Sequence, residues 1–338
     1  MKDLDFSRIM EKLLEGQDLS DDESVFAMRE VVNSKFTNAQ SASFLAALGL
    51  KPESVGEIVA FAGFLRELSP SVNCDKTNLV DTAGTGGTGI STFNVSTCAA
   101  FVAAGCGVKV AKHGNRSSSG IGSADVLEEL GVNITASREL ARRQLEAIGI
   151  TFLFARLFHR PLGNVAPLRK DLGFKTVFNL IGPLINPARP SRQLIGVYSA
   201  QLLGKMALAA SRLGAEKVMA VSSDTDEISI SAETKVCEIS GGRASAYTIT
   251  PEGFGFSRGI LKSIQVENRS QSADMLISVL KGSDGPARDI VLLNAGAAIY
   301  VSGVAGSISQ GISLAEKSIG SGRAMEKLQL LGDFNGHP

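Results

Sequence analysis

The sequence predicts an α/β protein: a small N-terminal α-helical domain and a larger α/β domain with a mostly parallel central sheet. Three observations lead there. Across roughly the first 70 positions, apolar residues recur at helical spacing behind helix-start signals. From about Asn78 the pattern changes to short β-rich runs alternating with helical stretches, the order that produces parallel sheets. The 338 residues are also long for one core, so two domains are expected.

Phe6, Ile9, Met10, Leu13 and Leu14 share one helical face. Ser20 with Glu23, and Thr37 with Gln40, form capping-box patterns ahead of two further helices, carrying Val25, Phe26, Val31 and Val32, then Phe44, Leu45 and Leu48. A fourth helix starts near Pro52 with Ile58, Phe61 and Leu65, and four short helices suit a bundle. Pro70 and its polar neighbours mark the boundary. Strands are expected at Asn78–Thr82, Val108–Ala111, Phe152–Ala155, Leu194–Tyr198, Val218–Ser222 and Glu227–Ile230, and a helix at about Ser96–Ala104. Gly163–Gly182 reads as helical and Pro-interrupted, and is expected to pack back on the first helices. A last long helix covers about Ser307–Gln329. The domains are therefore 1–70, with 160–185 against it, and an α/β domain of 71–159 plus 186–338.

Lys plus Arg and Asp plus Glu both number 34, so the basic excess typical of a nucleic-acid binder is missing. The longest apolar stretches, near Val95–Val108 and Ile290–Gly306, are diluted by Gly, Ala, Ser and Asn, and read as core elements, not membrane spans. The charged, helical N-terminus is no signal peptide. Cys74, Cys98, Cys106 and Cys237 form no C-x-x-C pair, which fits reduced thiols in a cytoplasmic protein and no zinc site.

Gly84-Thr85-Gly86-Gly87-Thr88-Gly89 follows a strand and leads toward a helix. Glycines let backbone N–H groups approach a phosphate, and a helix N-terminus adds positive potential. A dinucleotide site would want an acidic residue at the end of the second strand, where this chain has Lys112. A P-loop needs Lys-Ser/Thr after the last glycine, and Ile90-Ser91 stands there. A tight turn with no ligand remains the bland alternative. Against it, Thr92, Asn94, Ser96 and Thr97 gather short polar side chains at the helix start, where they can also simply cap it. Lys112-His113-Gly114-Asn115-Arg116 adds cations, an imidazole and an amide at a second strand end, which points to a polyphosphate site.

These segments, together with Asp81-Thr82-Ala83, Gly122-Ser123-Ala124-Asp125, Asn164-Val165-Ala166-Pro167-Leu168-Arg169, Phe178-Asn179-Leu180-Ile181-Gly182-Pro183 and Asp226-Glu227, run in order through nearly the whole chain. The set resembles the anthranilate phosphoribosyltransferases of tryptophan biosynthesis. The resemblance implies the nucleoside-phosphorylase-like phosphoribosyltransferase fold, and transfer of phosphoribosyl from phosphoribosyl pyrophosphate (PRPP) to anthranilate. It also implies Mg²⁺ and a homodimer, for which the first helices are the expected surface.

It further implies roles. Gly84, Thr85, Gly86, Gly87, Thr92, Asn94, Ser96, Thr97 and Lys112 would meet the phosphates and sugar. Ser96, Asp226 and Glu227 would hold Mg²⁺. Arg169 would take the anthranilate carboxylate, and His113 and Asn115 would contact the aromatic substrate. No acid or base is assigned. On spacing alone, Arg169 reads as a solvated charge, Asp226-Glu227 as a turn, and His113 and His159 as packing residues. His337 carries no expected role. Thr88 stands where the family commonly has Asp, so an altered Mg²⁺ dependence is expected. The segment Ser117-Ser118-Ser119-Gly120-Ile121-Gly122 is about one residue short and is expected to close on substrate. A pyrimidine nucleoside phosphorylase and a non-catalytic nucleotide or nucleic-acid binder remain as alternatives.

Overall fold

The structure, a computed structural model, describes residues 4–117 and 120–334. Ser118, Ser119 and His337 lie outside the described residues. Four helices come first: α1 (Phe6–Leu14), α2 (Asp21–Val32), α3 (Asn38–Leu50) and α4 (Val55–Leu68). Short polar side chains set their starts. The Glu23 carboxylate accepts from Ser20 N–H at 2.9 Å while Ser20 Oγ accepts from Glu23 N–H. Thr37 and Gln40 repeat the arrangement. Ser54 and Glu57 form a third such box, unforeseen from sequence, and it starts α4 three residues past Pro52. Each cap contributes about 1 kcal/mol.

The remainder is a seven-stranded sheet and its covering helices. The strands are β1 (Leu79–Asp81), β2 (Lys109–Gly114), β3 (Ile150–Phe154), β4 (Arg192–Gly196), β5 (Lys217–Ser222), β6 (Thr234–Ser240) and β7 (Arg243–Ile249), in the order β3-β2-β1-β4-β5-β6-β7. β1 to β5 are parallel, and β6 and β7 return antiparallel. The helices are α5 (Val95–Gly105), α6 (Ser123–Glu129), α7 (Arg138–Ala147), α8 (Ala155–Phe158), α9 (Ala166–Leu172), α10 (Val177–Ile181), α11 (Leu203–Arg212), α12 (Arg269–Leu280), α13 (Pro286–Ser302), α14 (Ile308–Gly320) and α15 (Arg323–Asp333).

Alternation along the strands sends side chains into two cores. Val80, Val110, Phe152, Leu194 and Met219 pack with Phe101, Ala298 and Ile299 of α5 and α13. On the other face Ile195, Val197, Val218 and Ala220 join Phe44, Phe61 and Leu65 of the first helices and Val177, Phe178 and Ile181 of α10. This second cluster ties the N-terminal helices to the sheet. The chain steps outward from β1 to β3, then returns to place β4 on the other side of β1. Ligands in such sheets bind at the carboxyl ends of the strands where the order reverses, which here means the loops after β1 and β4.

Three expectations need correction. Glu227–Ile230 is not a strand. Ile228 N–H donates to Asn294 Oδ1 at 3.0 Å and Asn294 Nδ2 donates to Ile228 O at 2.9 Å, so a side-chain amide on α13 stands in for a neighbouring strand. The last helix is two, broken at Ser321-Gly322 where Gly322 takes φ 78°. The β6–β7 hairpin was not foreseen. Among the described residues, no helix is long and apolar enough to cross a membrane. All four cysteines are free.

Candidate active site

The loop after β1 closes directly onto β4. Gly84 bridges Gly196, Thr85 N–H donates to Gly196 O at 2.8 Å, and Tyr198 N–H donates to Thr85 Oγ1 at 3.0 Å. Gly86 and Gly87 then take φ 62° and 84°, a left-handed pair that glycine adopts without strain and that suits consecutive N–H groups to an anion. Gly86 N–H donates to Asp226 Oδ2 at 2.9 Å, and nothing among the described residues accepts from Gly87 N–H.

Beside this loop, α5 begins without side-chain capping, so the capping reading of Asn94 fails. Asn94 Nδ2 donates to Ile121 O at 3.2 Å and its Oδ1 accepts from Ser272 Oγ at 2.8 Å, which ties the helix start to two other segments. A carboxylate takes the helix N-terminus instead: Ser96 N–H donates to Glu227 Oε1 at 3.2 Å. Thr97 is buried with its Oγ1 unpartnered, and Thr92 bridges Gln265.

β2 runs through Gly114, beyond the Ala111 end read from the sequence, so Lys112 and His113 are strand residues and both are buried. Lys112 Nζ donates to Thr82 O, Thr82 Oγ1 and Ser96 Oγ at 3.1, 3.3 and 3.2 Å, which occupies all three of its donors. Burial pulls its ammonium down, and Asp81, Glu227 and Asp226 pull it back up. Burial pushes Asp81 up to about 6, although it accepts from His113 N–H and Asn186 Nδ2. Burial also raises Asp226, and burial followed by the Asp226 charge raises Glu227.

One buried carboxylate, Asp81, and two partly buried ones, Asp226 and Glu227, surround one ammonium and leave negative charge uncompensated, an environment that favours a cation. Among the described residues, no group of three or more His, Cys, Asp and Glu side chains forms a metal cage. Mg²⁺, however, is usually held by one or two carboxylates with phosphate oxygens and waters completing its shell. Asp226, Glu227 and the Ser96 hydroxyl fit that donor set.

The second group of expected residues lies on the far side of β2 and on α9. His113 Nδ1 sits 3.2 Å from Gly182 O, so it carries the proton and leaves Nε2 buried without a partner. Burial pushes this imidazole down to about 3 and keeps it neutral. His159 packs edge-on at 5.3 Å, with its Nε2 2.9 Å from Ile185 O, a packing residue as read. Asn115 is exposed and accepts from Arg116 N–H at 2.9 Å. Arg116 is paired with Asp125 and Glu128, both at 2.9 Å. Arg169 is not the freely solvated charge that spacing suggests. It is partly buried, its guanidinium lies 5.5 Å from the Phe178 ring centroid, burial lowers its pKa, and no acidic side chain among the described residues pairs with it.

One cation escaped the sequence reading. Lys175, between α9 and α10, places Nζ 3.9 Å from the Tyr198 ring centroid, and a Cβ added to Gly87 would meet its Cε at 2.9 Å. A lone lysine in a charged stretch gives no signal in sequence; only the packing of α10 against the sheet brings it over the glycine loop.

Two family models divide the chain: the glycosyl transferase family helical bundle domain matches residues 7–69, and the α/β domain of the same family matches residues 76–325. The anthranilate phosphoribosyltransferase of Nitrosomonas europaea is 45% identical over 331 residues, covering 97% of both chains. The crystal structure of the Thermus thermophilus anthranilate phosphoribosyltransferase superposes with a TM-score of 0.90 at 39% identity, over 96% of this chain and 98% of that one. The Saccharomyces cerevisiae enzyme in complex with PRPP and Mg gives 0.88 at 28% identity, over 97% of each chain. Its complex with 4-fluoroanthranilate gives 0.85 at 28% identity, over 98% of each chain. With full-length matches in sequence and in fold, the chain belongs to the glycosyl transferase family, among the anthranilate phosphoribosyltransferases.

Proposed function

We propose that the protein transfers the phosphoribosyl group of PRPP to the amine of anthranilate and releases pyrophosphate, as a step of tryptophan biosynthesis. The observation that carries this reading is the pairing of two features. A glycine loop with an open amide stands beside the partly buried Asp226 and Glu227, and a partly buried Arg169 stands without a counter-ion among the described residues. The relatives favour it over a pyrimidine nucleoside phosphorylase or a non-catalytic binder.

In the reaction the bond from ribose C1 to the pyrophosphate oxygen breaks with its electron pair, and the amine nitrogen bonds to C1. Catalysis is then positioning and charge stabilisation. Gly84 to Gly87 offer backbone to the pyrophosphate, with Thr92, Asn94, Ser96 and Thr97 around the sugar phosphate. Lys112, with its donors spent, acts by holding Ser96 and offsetting the carboxylates. Ser96, Asp226 and Glu227 would hold Mg²⁺, which when bound supplies positive charge to the phosphate oxygens. Arg169 grips the anthranilate carboxylate with a planar fork, and His113 and Asn115 border the ring. An aromatic amine is largely neutral at pH 7, so its lone pair is free to attack. The proton shed once nitrogen bonds to C1 is strongly acidic and passes to solvent or to the departing pyrophosphate, with no dedicated strong base required.

The reading includes a helical domain of 1–70 with 160–185 against it, an α/β domain from the rest, and a cytoplasmic homodimer. Leu14 and Leu50, exposed at the ends of α1 and α3, support a dimer surface on the helical side. The test mixes purified protein with anthranilate, PRPP and Mg²⁺ and follows anthranilate fluorescence. Loss that requires all three components is the expected result. No loss at saturating substrates contradicts the reading.

A further inference from the structure

The cations that the sequence places at the phosphate site are both committed elsewhere. Lys112 gives its three donors to Thr82 and Ser96. Arg116 is tied to Asp125 and Glu128. PRPP nevertheless brings several negative charges to a loop whose nearest acidic neighbour is Asp226. Lys175 is the cation placed to meet them. Its side chain crosses the loop at Gly87, it is exposed, and no acidic side chain pairs with it among the described residues. Its present contact is the face of Tyr198, whose own N–H fixes Thr85 of the same loop. A cation on the face of this partly buried ring is held weakly compared with one on a phosphate oxygen, so the ring presents the ammonium without trapping it.

We infer that Lys175 grips the pyrophosphate of PRPP from the helical wall of the cleft, opposite the glycine loop; this rests on the reaction proposed above. The position has a second consequence. Arg169 and Lys175 lie on one short stretch, separated by the left-handed turn at Gly173, φ 67°. One stretch thus carries a cation for the acceptor carboxylate and a cation for the leaving group. As the C1–oxygen bond breaks, charge grows on the pyrophosphate oxygen, and the ammonium stabilises it without a proton transfer.

The test compares Lys175→Ala and Lys175→Arg with the parent, as full chains with Mg²⁺. KM is measured for each substrate, together with inhibition by pyrophosphate. Lys175→Ala is expected to raise the KM for PRPP and the pyrophosphate inhibition constant by about tenfold, at unchanged KM for anthranilate and unchanged Tm. Lys175→Arg, which keeps the charge, recovers most of the loss. An unchanged KM for PRPP, or equal rises for both substrates, overturns the inference. If the parent protein consumes no anthranilate, the proposed reaction fails by itself. Calorimetric binding of Mg²⁺-pyrophosphate still decides on Lys175: weakened in Lys175→Ala it stands, unchanged it falls.

Discussion

The two sides of the site, a sheet wall and a helical wall, are built on opposite terms. On the sheet wall, nearly every charged group already has a hydrogen-bond partner within the protein. Lys112 is saturated, Asp81 is held by His113 N–H and Asn186, and Asp226 and Glu227 hold amides of the loop and of α5. On the helical wall, Arg169 and Lys175 rest against aromatic rings and form no salt bridge among the described residues. The difference separates scaffolding from reception. A wall whose polar groups satisfy one another keeps its shape with or without substrate. A wall of unpaired cations is ready to receive anionic groups.

The largest effect should come from deforming the sheet wall. A Cβ at Gly196 would overlap the carbonyl oxygen of Asp226, so Gly196→Ala must displace Asp226 from Gly86 N–H. Misplacing a reacting group by about an ångström costs about 100-fold, and kcat/KM for PRPP should fall by at least that. A near-normal rate would show that the sheet wall tolerates movement.

Removing a receptor from the helical wall should act selectively. Arg169→Ala loses a charge-assisted contact and is expected to raise the KM for anthranilate by about 10- to 100-fold, with a smaller change for PRPP. Equal changes would erase the assigned division between the walls.

The smallest effect concerns the stability of the sheet wall. Burial pushes His113 down to about 3 and His159 to about 4, from an ordinary value near 6.5. Between those limits the unfolded chain takes up protons that the folded chain refuses, so the two histidines' contribution is full above pH 6.5 and is lost as pH falls toward 3. Asp81, raised to about 6, works in the opposite direction over the same range. The difference between the parent and His159→Gln isolates the histidine part. Their denaturation midpoints should converge as pH drops from 6.5 to 4, and parallel curves would contradict a buried neutral imidazole.

What was legible in the sequence is what is local. Ser20 with Glu23 and Thr37 with Gln40 write their helix starts within four residues, and the glycine loop writes its left-handed turn. The parallel strands β1 to β5 showed as apolar runs because both their faces are covered. β7 did not, because Arg243–Ile249 is an edge strand, mostly exposed, with no apolar alternation to read. Ile228 and Ile230 imitate a strand through their alternate spacing in sequence, but the partner of Ile228 is an asparagine on a distant helix. At the site, the glycine loop stands out by its own pattern, whereas Arg169 and the Asp226-Glu227 pair are singled out only by the family resemblance. The division of labour among the cations was not. Lys112 looked available because its strand was read as ending at Ala111, and Lys175 looked ordinary because its partner loop is remote in the chain.

The most direct measurement is a crystal structure with PRPP, Mg²⁺ and 4-fluoroanthranilate bound together. The pyrophosphate is expected on the open amide of Gly87, and the carboxylate of the analogue within hydrogen-bonding distance of the Arg169 guanidinium. A carboxylate bound away from Arg169, or a pyrophosphate held without the glycine loop, would contradict the division of the cleft into a satisfied wall and a receiving one.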